Sequence, residues 1–190
     1  MTNGAFPSST APKRIEVTIT QLEQSARPAL PPPVRPPQTS AILRLEHPPV
    51  HFYRYLYALV GEPHKWMSRR GLDDEALRSI IQHEAVSIYV LYIGGAPGGF
   101  AEVDARDRKT HELRFFGLAP DYVSKGWGRY FLTHILDLAW NGGAEILRVE
   151  TCTLDHPSAL PLYQKLGFEV VARRKGVVTI DRDTKQEAAE

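Results

Sequence analysis

The sequence predicts an α/β fold with a partly antiparallel sheet, because apolar strand patterns and amphipathic helix patterns are mixed along the chain. Two strand patterns flank the turn at Gly94-Gly95 as in a hairpin, whereas several of the others are separated by helix patterns. The 190 residues are 43% hydrophobic and 24% charged, an ordinary composition for one domain with a buried core. The predicted order is strand, helix, helix, strand, strand, strand, helix, strand, helix, strand, strand.

The first part of the chain differs in composition from the rest. Residues 1–13 are small, polar and proline-bearing, and we expect them to be disordered. Residues 14–47 should add one or two strands to the core, since Ile15, Val17 and Ile19 alternate with polar residues. Residues 27–37 contain six prolines and predict an extended connector, with a docking segment for a partner's aromatic groove as the alternative.

Residues 48–183 carry the remaining elements and form the predicted main domain. Glycines, prolines and acidic helix starts bound most of their ranges, as is typical of element ends. The ranges are helices at Val50–Val60 and Asp73–His83, strands at Val86–Ile93, Gly99–Asp104 and Glu112–Leu118, a helix from Trp127 to about Gly142, a strand at Glu145–Thr151, a short helix starting at Pro157, and a hairpin of Phe168–Arg174 and Gly176–Asp181.

The helix predicted at Val50–Val60 is unusually aromatic. Its rings, with one tryptophan close behind, are those of Phe52, Tyr53, Tyr55, Tyr57 and Trp66. These side chains cover both faces of a helix, so we expect packing on the sheet for any one of them, with the wall of a binding pocket as the alternative.

The loop between the central strand and the long helix is the most informative stretch. Lys125-Gly126-Trp127-Gly128 precedes the helix, whose free N–H groups and positive dipole end predict an anion site. The two glycines let a phosphate approach the backbone, and Lys125 and Arg129 add positive charge. A dinucleotide-binding loop would have a third glycine three positions further on, where this chain has phenylalanine, so that interpretation fails.

This loop resembles the acetyl-CoA loop of the GNAT family of N-acetyltransferases, whose pattern is Gln/Arg-x-x-Gly-x-Gly/Ala. Val123-Ser124-Lys125-Gly126-Trp127-Gly128 follows the pattern except at Val123. Downstream, residues 155–168 (DHPSALPLYQKLGF) resemble the family's Asn-x-x-Ala-x-x-Leu-Tyr-x-x-x-Gly-Phe, with His156 at the Asn position. The resemblance covers roughly Val50–Asp181. It implies the GNAT fold, a central mixed, mostly antiparallel sheet with splayed central strands flanked by helices.

The resemblance also implies a function and a cofactor. The protein would transfer acetyl from acetyl-CoA to a primary amine by direct attack in a ternary complex. The pyrophosphate would lie on the loop residues Val123, Ser124, Lys125, Gly126, Trp127, Gly128 and Arg129. The backbone of Phe116 and Leu118 would bind the pantetheine arm, and one of their N–H groups would polarise the acetyl carbonyl. His156 would lie beside the cofactor.

Two side chains are candidates for proton transfer. Glu112 matches the catalytic glutamate of the histone-acetylating branch and would be the base, through burial or a water relay. The alternatives are an exposed glutamate paired with Arg114, and ordered water as the base. Tyr163, the tyrosine of the second signature, would protonate the leaving thiolate, and a tyrosine that only packs in the core is the alternative.

Composition limits the partners. A net charge of +1 argues against nucleic acid, and no apolar run is long enough for a membrane helix. The single cysteine, Cys152, predicts no intrachain disulfide and no zinc-finger site, and we expect no metal and a reducing, cytoplasmic setting. We expect a small-molecule amine as acceptor and leave a homodimer through the terminal strand open. The alternative functions are a non-catalytic acyl-CoA sensor or scaffold, and a nucleotide-binding domain of another class.

Overall fold

The computed structural model describes residues 12–180. Within these residues, seven strands form one mixed sheet with helices on both faces, which confirms the predicted α/β class. In chain order the elements are β1 Lys13–Gln24, β2 Ser40–Arg44, α1 Val50–Gly61, α2 Asp74–Ile81, β3 Val86–Ile93, β4 Ala96–Asp104, β5 Thr110–Leu118, α3 Trp127–Asn141, β6 Ile146–Cys152, α4 Ala159–Lys165 and β7 Glu169–Ile180. Between Pro12 and Ile180, no helix has the length and apolar character needed to cross a bilayer.

The sheet opens at its centre. Its strand order is β2-β3-β4-β5-β6-β1-β7, and β5 and β6 are parallel while the other neighbours are antiparallel. The β5–β6 pairing runs from Thr110 opposite Ile146 to Leu113 opposite Val149, although both strands continue beyond these residues. The carboxyl-terminal halves of the two strands therefore diverge and leave a cleft.

The N-terminal strand is an internal strand of this sheet. β1 lies between β6 and β7 and is antiparallel to both, with Thr20 opposite Thr151 on one side and Arg173 on the other. The alternation seen in the sequence places Val17 on a buried face, and Leu22 is completely buried further along. Thr20 and its partner Thr151 are about 130 residues apart in the chain, so this placement depends on long-range pairing.

The C-terminal segment is one continuous strand, and the predicted hairpin is wrong. β7 passes through Lys175 and Gly176 without a turn and pairs with β1 from Glu169 to Ile180. Gly176 lies opposite Val17, where a Cβ would come within 2.8 Å of the Ile19 side chain. The glycine therefore makes room for a neighbouring strand rather than for a turn.

The short helix α4 begins later than the sequence predicts. Pro157 lies in the turn before the helix, and Ser158 occupies the N-cap position without a capping hydrogen bond from its side chain. The carboxylate of Asp155 accepts hydrogen bonds from Thr151 and Cys152 at the end of β6. Asp155 therefore ties the loop before α4 to the sheet.

Two apolar clusters lie on opposite faces of the sheet. On one face, Trp127, Phe131 and Ile135 of α3 are completely buried, as their helical spacing predicts, whereas Leu138 is 41% exposed. On the other face, α1 and α2 pack on β3, β4 and β5 through residues that include Tyr53. Burying large apolar side chains of this kind stabilises the fold by about 1.5–3 kcal/mol each.

Gly117 lets α1 lie directly on the central strand. A Cβ at this position would overlap Val60 Cγ1 of α1. The sequence predicts a bulge or a close backbone approach at this glycine, and the close approach is confirmed.

The connector between β1 and β2 runs along α3. Arg27 pairs with Asp137 at 2.8 Å near the C-terminal end of the helix, and Leu30 packs against the core. At the other end of α3, Pro36 lies 3.8 Å from the position of a Cβ on Gly126. The proline-rich residues therefore form an extended strap that is docked on this domain.

Candidate active site

A cavity of about 430 Å³ fills the gap between the diverging strands. Its walls come from the ends of β5 and β6, from the loop before α3, from α4, and from the loop between α1 and α2. Its lining is mostly apolar, with a few polar groups, as is usual for small-molecule sites. We call this cavity the cleft.

The loop before α3 forms one end of the cleft. Ser124 and Gly126 have positive φ angles of 62° and 85°, so the backbone curls as in an anion-binding nest. Gly126 is the N-cap residue and supplies no side-chain acceptor to the first N–H groups of α3. Ser124 and Gly126 line the cleft together with three other predicted cofactor residues, Val123, Gly128 and Arg129.

Two residues of this loop are not among those that line the cleft. Trp127 is completely buried in the core, so it anchors the start of α3 and can offer a ligand only its backbone. Lys125 is exposed, and its contribution is a positive charge near the loop.

Gly128 leaves space that the protein itself does not fill. A Cβ at this position would lie 3.6 Å from Leu162 and 3.8 Å from Leu118, which are ordinary contacts. Packing within the protein therefore does not require glycine here, and the open space faces the cleft.

A β-bulge sets the direction of the β5 backbone along the cleft. Glu102 lies opposite Phe115 and Val103 opposite Leu113, so Arg114 is an extra residue in β5. The Ala119 N–H donates to Gly98 O on the β4 side at 2.9 Å. Because successive backbone N–H groups alternate in direction, the N–H groups of the predicted residues Leu118 and Phe116 face away from β4, toward the cleft.

Tyr163 and His156 lie together at the α4 side of the cleft. Tyr163 is only 5% exposed, and burial first and the nearby Asp155 charge second raise the pKa of its phenol above the ordinary range. The phenol is therefore protonated at neutral pH and can donate a proton or a hydrogen bond. The Nδ1 atom of His156 accepts a hydrogen bond from the Ser158 N–H at 3.2 Å.

Glu112 lies apart from the other predicted site residues. It sits opposite Arg148, where β5 and β6 are still paired, and its carboxylate is 2.6 Å from the Arg114 guanidinium. It lines a separate, polar pocket of about 340 Å³ on the surface, not the cleft. The pairing with Arg114 is the alternative that the sequence left open.

One wall of the cleft contains His64, which the sequence does not identify, and Trp66, one of the aromatic rings expected in the core or in a pocket. His64 and Trp66, from the loop between α1 and α2, line the cleft. The Trp66 indole donates to Asp155 Oδ1 at 3.2 Å, and His64 Nδ1 lies 3.3 Å from Leu154 O. Neither residue belongs to a periodic pattern. The sequence signal for this wall is therefore the expectation that an aromatic ring near α1 can line a binding pocket. Tyr53 and Tyr57 pack in the core instead.

The fold and the cleft place the chain in a known class. A mixed sheet whose parallel central strands separate beside an open helix N-terminus is the arrangement that the resemblance implies for the GNAT fold. The model of the Acetyltransferase (GNAT) family matches residues 49–168. The chain therefore belongs to the GNAT acetyltransferase family.

Solved structures share this fold at low sequence identity. A GCN5-related N-acetyltransferase from Sphaerobacter thermophilus has a TM-score of 0.62 and 15% identity, over 90% of this chain and 54% of its own. An IAA acetyltransferase from Bacillus cereus has a TM-score of 0.51 and 23% identity, over 70% and 79%. AAC(6')-Iy, in complex with the bisubstrate analogue CoA-S-monomethyl-acetylneamine, has a TM-score of 0.53 and 17% identity, over 69% and 91%. A search of curated protein sequences finds no match.

Proposed function

We propose that this protein is an N-acetyltransferase that transfers acetyl from acetyl-CoA to the primary amine of a small acceptor. The observation that carries the proposal is the cleft between β5 and β6, with the nest before α3 at one end and Tyr163 on its wall. A protein of similar fold, AAC(6')-Iy, has been solved in complex with a CoA bisubstrate analogue, which supports the choice of cofactor. The single cysteine supports a reducing compartment, for which the cytoplasm is our proposal.

The cofactor would bind mainly through backbone groups. The N–H groups of residues 124–129 would hold the pyrophosphate, with charge from Lys125 and Arg129. Phe116 and Leu118 would pair with the pantetheine arm, because the bulge at Arg114 turns their N–H groups toward the cleft. His156 lies in the cleft wall, where it can contact the cofactor.

The transfer needs a neutral amine and a protonated leaving group. The amine nitrogen attacks the acetyl carbon, the carbon–sulfur bond breaks, and the thiolate takes a proton from the Tyr163 phenol. Burial raises the pKa of the Tyr163 phenol, which keeps it protonated but makes it a weaker acid. A thiolate formed in the same apolar cleft would also have a raised proton affinity, which offsets this loss of acidity. Glu112, the base that the resemblance implies, would have to act through a chain of waters from outside the cleft.

Direct attack in a ternary complex is favoured over an acetyl-enzyme. Cys152 lines the cleft, but burial first and the Asp155 charge also raise the pKa of its thiol. A thiol that is protonated at neutral pH is a poor nucleophile. The amine therefore has no competitor of this kind for the thioester.

The charges in the cleft favour an acceptor with few positive charges. Among the described lining residues, the carboxylates are Glu150, which pairs with Arg174 at 2.9 Å, and Asp155, which accepts three hydrogen bonds. Arg129 adds positive charge, whereas the charge of Arg114 is paired with Glu112. A polycationic amine would therefore find little electrostatic attraction here, and we propose a monoamine or an amino acid as the acceptor class.

The test is release of free CoA thiol from acetyl-CoA with an amine panel of amino acids, arylalkyl monoamines and aminoglycosides. We expect amine-dependent thiol release with at least one monoamine or amino acid, and little with aminoglycosides. Tight acetyl-CoA binding without release on the whole panel would favour a non-catalytic acyl-CoA sensor or scaffold. ATP or NAD bound more tightly than acetyl-CoA would contradict both functions.

A homodimer through the terminal strand stays a prediction. β7 is at the edge of the sheet, and it exposes Val171 and Val177, each by about half. Edge strands with apolar side chains are prone to pair with another chain. Sedimentation equilibrium would show a mass of two chains if β7 pairs in this way.

A further inference from the structure

We propose that His64 accepts the proton that the acceptor amine loses, a role that rests on the proposed acetyl transfer. His64 lies in the loop between α1 and α2, outside both family signatures, and its ring forms part of the cleft wall beside the loop that precedes α4. An imidazole is the side chain best suited to exchange protons near neutral pH. Three features of the geometry around the ring support this role.

The first feature is the tautomer of His64. Its Nδ1 atom lies 3.3 Å from the carbonyl oxygen of Leu154. A carbonyl oxygen only accepts, so Nδ1 carries the hydrogen and donates it. In the neutral ring, Nε2 is then left with a free lone pair that can accept a proton.

The second feature is the difference between His64 and His156, the other imidazole in the cleft. The two ring centroids are 6.4 Å apart. Because His156 Nδ1 accepts from the Ser158 N–H at 3.2 Å, its neutral ring carries the hydrogen on Nε2. His156 therefore presents a donor, whereas His64 presents an acceptor, and only His64 is poised as a base.

The third feature is that the remaining titratable groups of the cleft are already hydrogen-bonded, paired or protonated. Among the described lining residues, Asp155 already accepts three hydrogen bonds and Glu150 pairs with Arg174. The Cys152 thiol and the Tyr163 phenol have raised pKa values, so both are protonated. His64 is thus the cleft side chain with an available basic atom.

The loop that carries His64 is held in place. The backbone N–H groups of His64 and Trp66 both donate to the carbonyl at the end of α1, at 3.1 Å. The Trp66 indole bridges to Asp155, and further along the loop Arg69 forms a buried ion pair with Glu102 at 2.7 Å. The ring therefore has a defined position before any substrate binds.

In the proposed step, Nε2 of His64 takes the proton from the amine, directly or across one water. The amine nitrogen forms its bond to the acetyl carbon, the carbon–sulfur bond breaks, and Tyr163 supplies the proton for the thiolate. The His64 imidazolium then returns its proton to solvent, and solvent reprotonates Tyr163, so the cycle closes without another reactant.

The experiment compares His64→Gln with the matched control His51→Gln, which changes an exposed histidine on α1. The best amine from the panel is used, kcat/KM is measured by thiol release, and acetyl-CoA affinity is measured by calorimetry. We expect His64→Gln to lower kcat/KM by about 10²-fold or more, with acetyl-CoA affinity unchanged. His51→Gln should behave as the wild type.

A second variant separates a base from a structural side chain. His64→Ala should recover part of its lost kcat when free imidazole is added, because imidazole can enter the space left by the ring. A purely structural residue would not be rescued in this way.

Three outcomes would overturn the role. The first is a His64→Gln enzyme as active as the wild type, and the second is a His64→Ala enzyme that imidazole does not rescue. The third is a comparable loss in Glu112→Gln with none in His64→Gln, which would restore Glu112 as the base. A wild-type protein that turns over no amine would instead overturn the proposed function, and His64 with it.

Discussion

Single atoms decide what the cleft can hold, and Gly128 is the clearest case. A Cβ there would make ordinary contacts with Leu162 and Leu118, so packing does not require glycine at this position. The missing side chain instead leaves space open in the cleft. The backbone alone also sets the direction of two hydrogen-bond donors, because the bulge at Arg114 turns the N–H groups of Phe116 and Leu118 toward the cleft.

Gly128→Ala should therefore have opposite effects on binding and on stability. The free energy of unfolding should be unchanged or rise by up to about 1 kcal/mol, because alanine favours helix. Acetyl-CoA affinity should fall about tenfold or more, since the methyl group occupies space needed by the pyrophosphate. Urea denaturation and calorimetry check the two effects. Gly71→Ala, at a position with nothing within 4 Å, is the control. Unchanged affinity in Gly128→Ala would place the pyrophosphate elsewhere.

Tyr163→Phe should lower kcat by about 10²-fold and leave acetyl-CoA affinity nearly unchanged. The variant loses the protonated hydroxyl but keeps the ring, which packs edge-on against Phe168 at 5.8 Å. Pre-steady-state thiol release under saturating acetyl-CoA measures the chemical step. An unchanged kcat would remove Tyr163 from the mechanism.

At this scale the sequence predicts the loop well, because its signals are local. Glycines with positive φ and an unoccupied helix start are readable from a few neighbouring residues, as at Gly126. The direction of the Phe116 N–H group depends on the bulge at Arg114. The separation of Glu112 from the cleft depends on the point at which β5 and β6 stop pairing. His64 enters the cleft through a loop contact with Leu154, 90 residues away, which no local pattern encodes.

Elements meet where small residues allow it, and the contact of α1 with β5 shows this. Gly117→Ala would force a methyl group into Val60, and we expect a loss of about 1–3 kcal/mol in the free energy of unfolding. Adding Val60→Ala should cost less in the Gly117→Ala background than in the wild type, because the smaller side chain relieves the overlap. Chemical denaturation of the four proteins gives the coupling. Strictly additive effects would show that α1 does not rest on Gly117.

Element prediction succeeded where hydrophobic periodicity was strong and failed where the partner was distant. β3 matches its predicted range Val86–Ile93, since eight apolar or half-buried residues in a row need no further context. The hairpin predicted around Lys175 was wrong because β7 finds its partner at the other end of the chain. A glycine beside a lysine is typical of a turn, but here it accommodates Ile19 of β1.

On the scale of the whole molecule, the N-terminal arm is part of one sheet with the family domain. The family match begins at residue 49, yet β1 is inserted between β6 and β7, and Ile19 of β1 lines the cleft. The strap along α3 joins this strand to β2 at the opposite edge of the sheet. We therefore propose that residues 14–47 fold together with the catalytic domain.

Leu22→Ala tests this integration. Leu22 is completely buried in β1, and removing its side chain should cost about 2–5 kcal/mol of the free energy of unfolding, as in any well-packed core. Val34→Ala, in the strap and 88% exposed, should change stability little. Denaturant titration of both variants measures the difference. A Leu22→Ala protein as stable as Val34→Ala would mean that the arm is dispensable.

Binding of acetyl-CoA in the cleft between β5 and β6 is tested most directly by calorimetric titration of the wild-type protein. Acetyl-CoA, CoA and ATP are titrated side by side. Micromolar affinity for acetyl-CoA, with much weaker binding of ATP, is the predicted result. Absence of acetyl-CoA binding would contradict the account, since the nest before α3, the β5 backbone and Tyr163 would then serve no thioester.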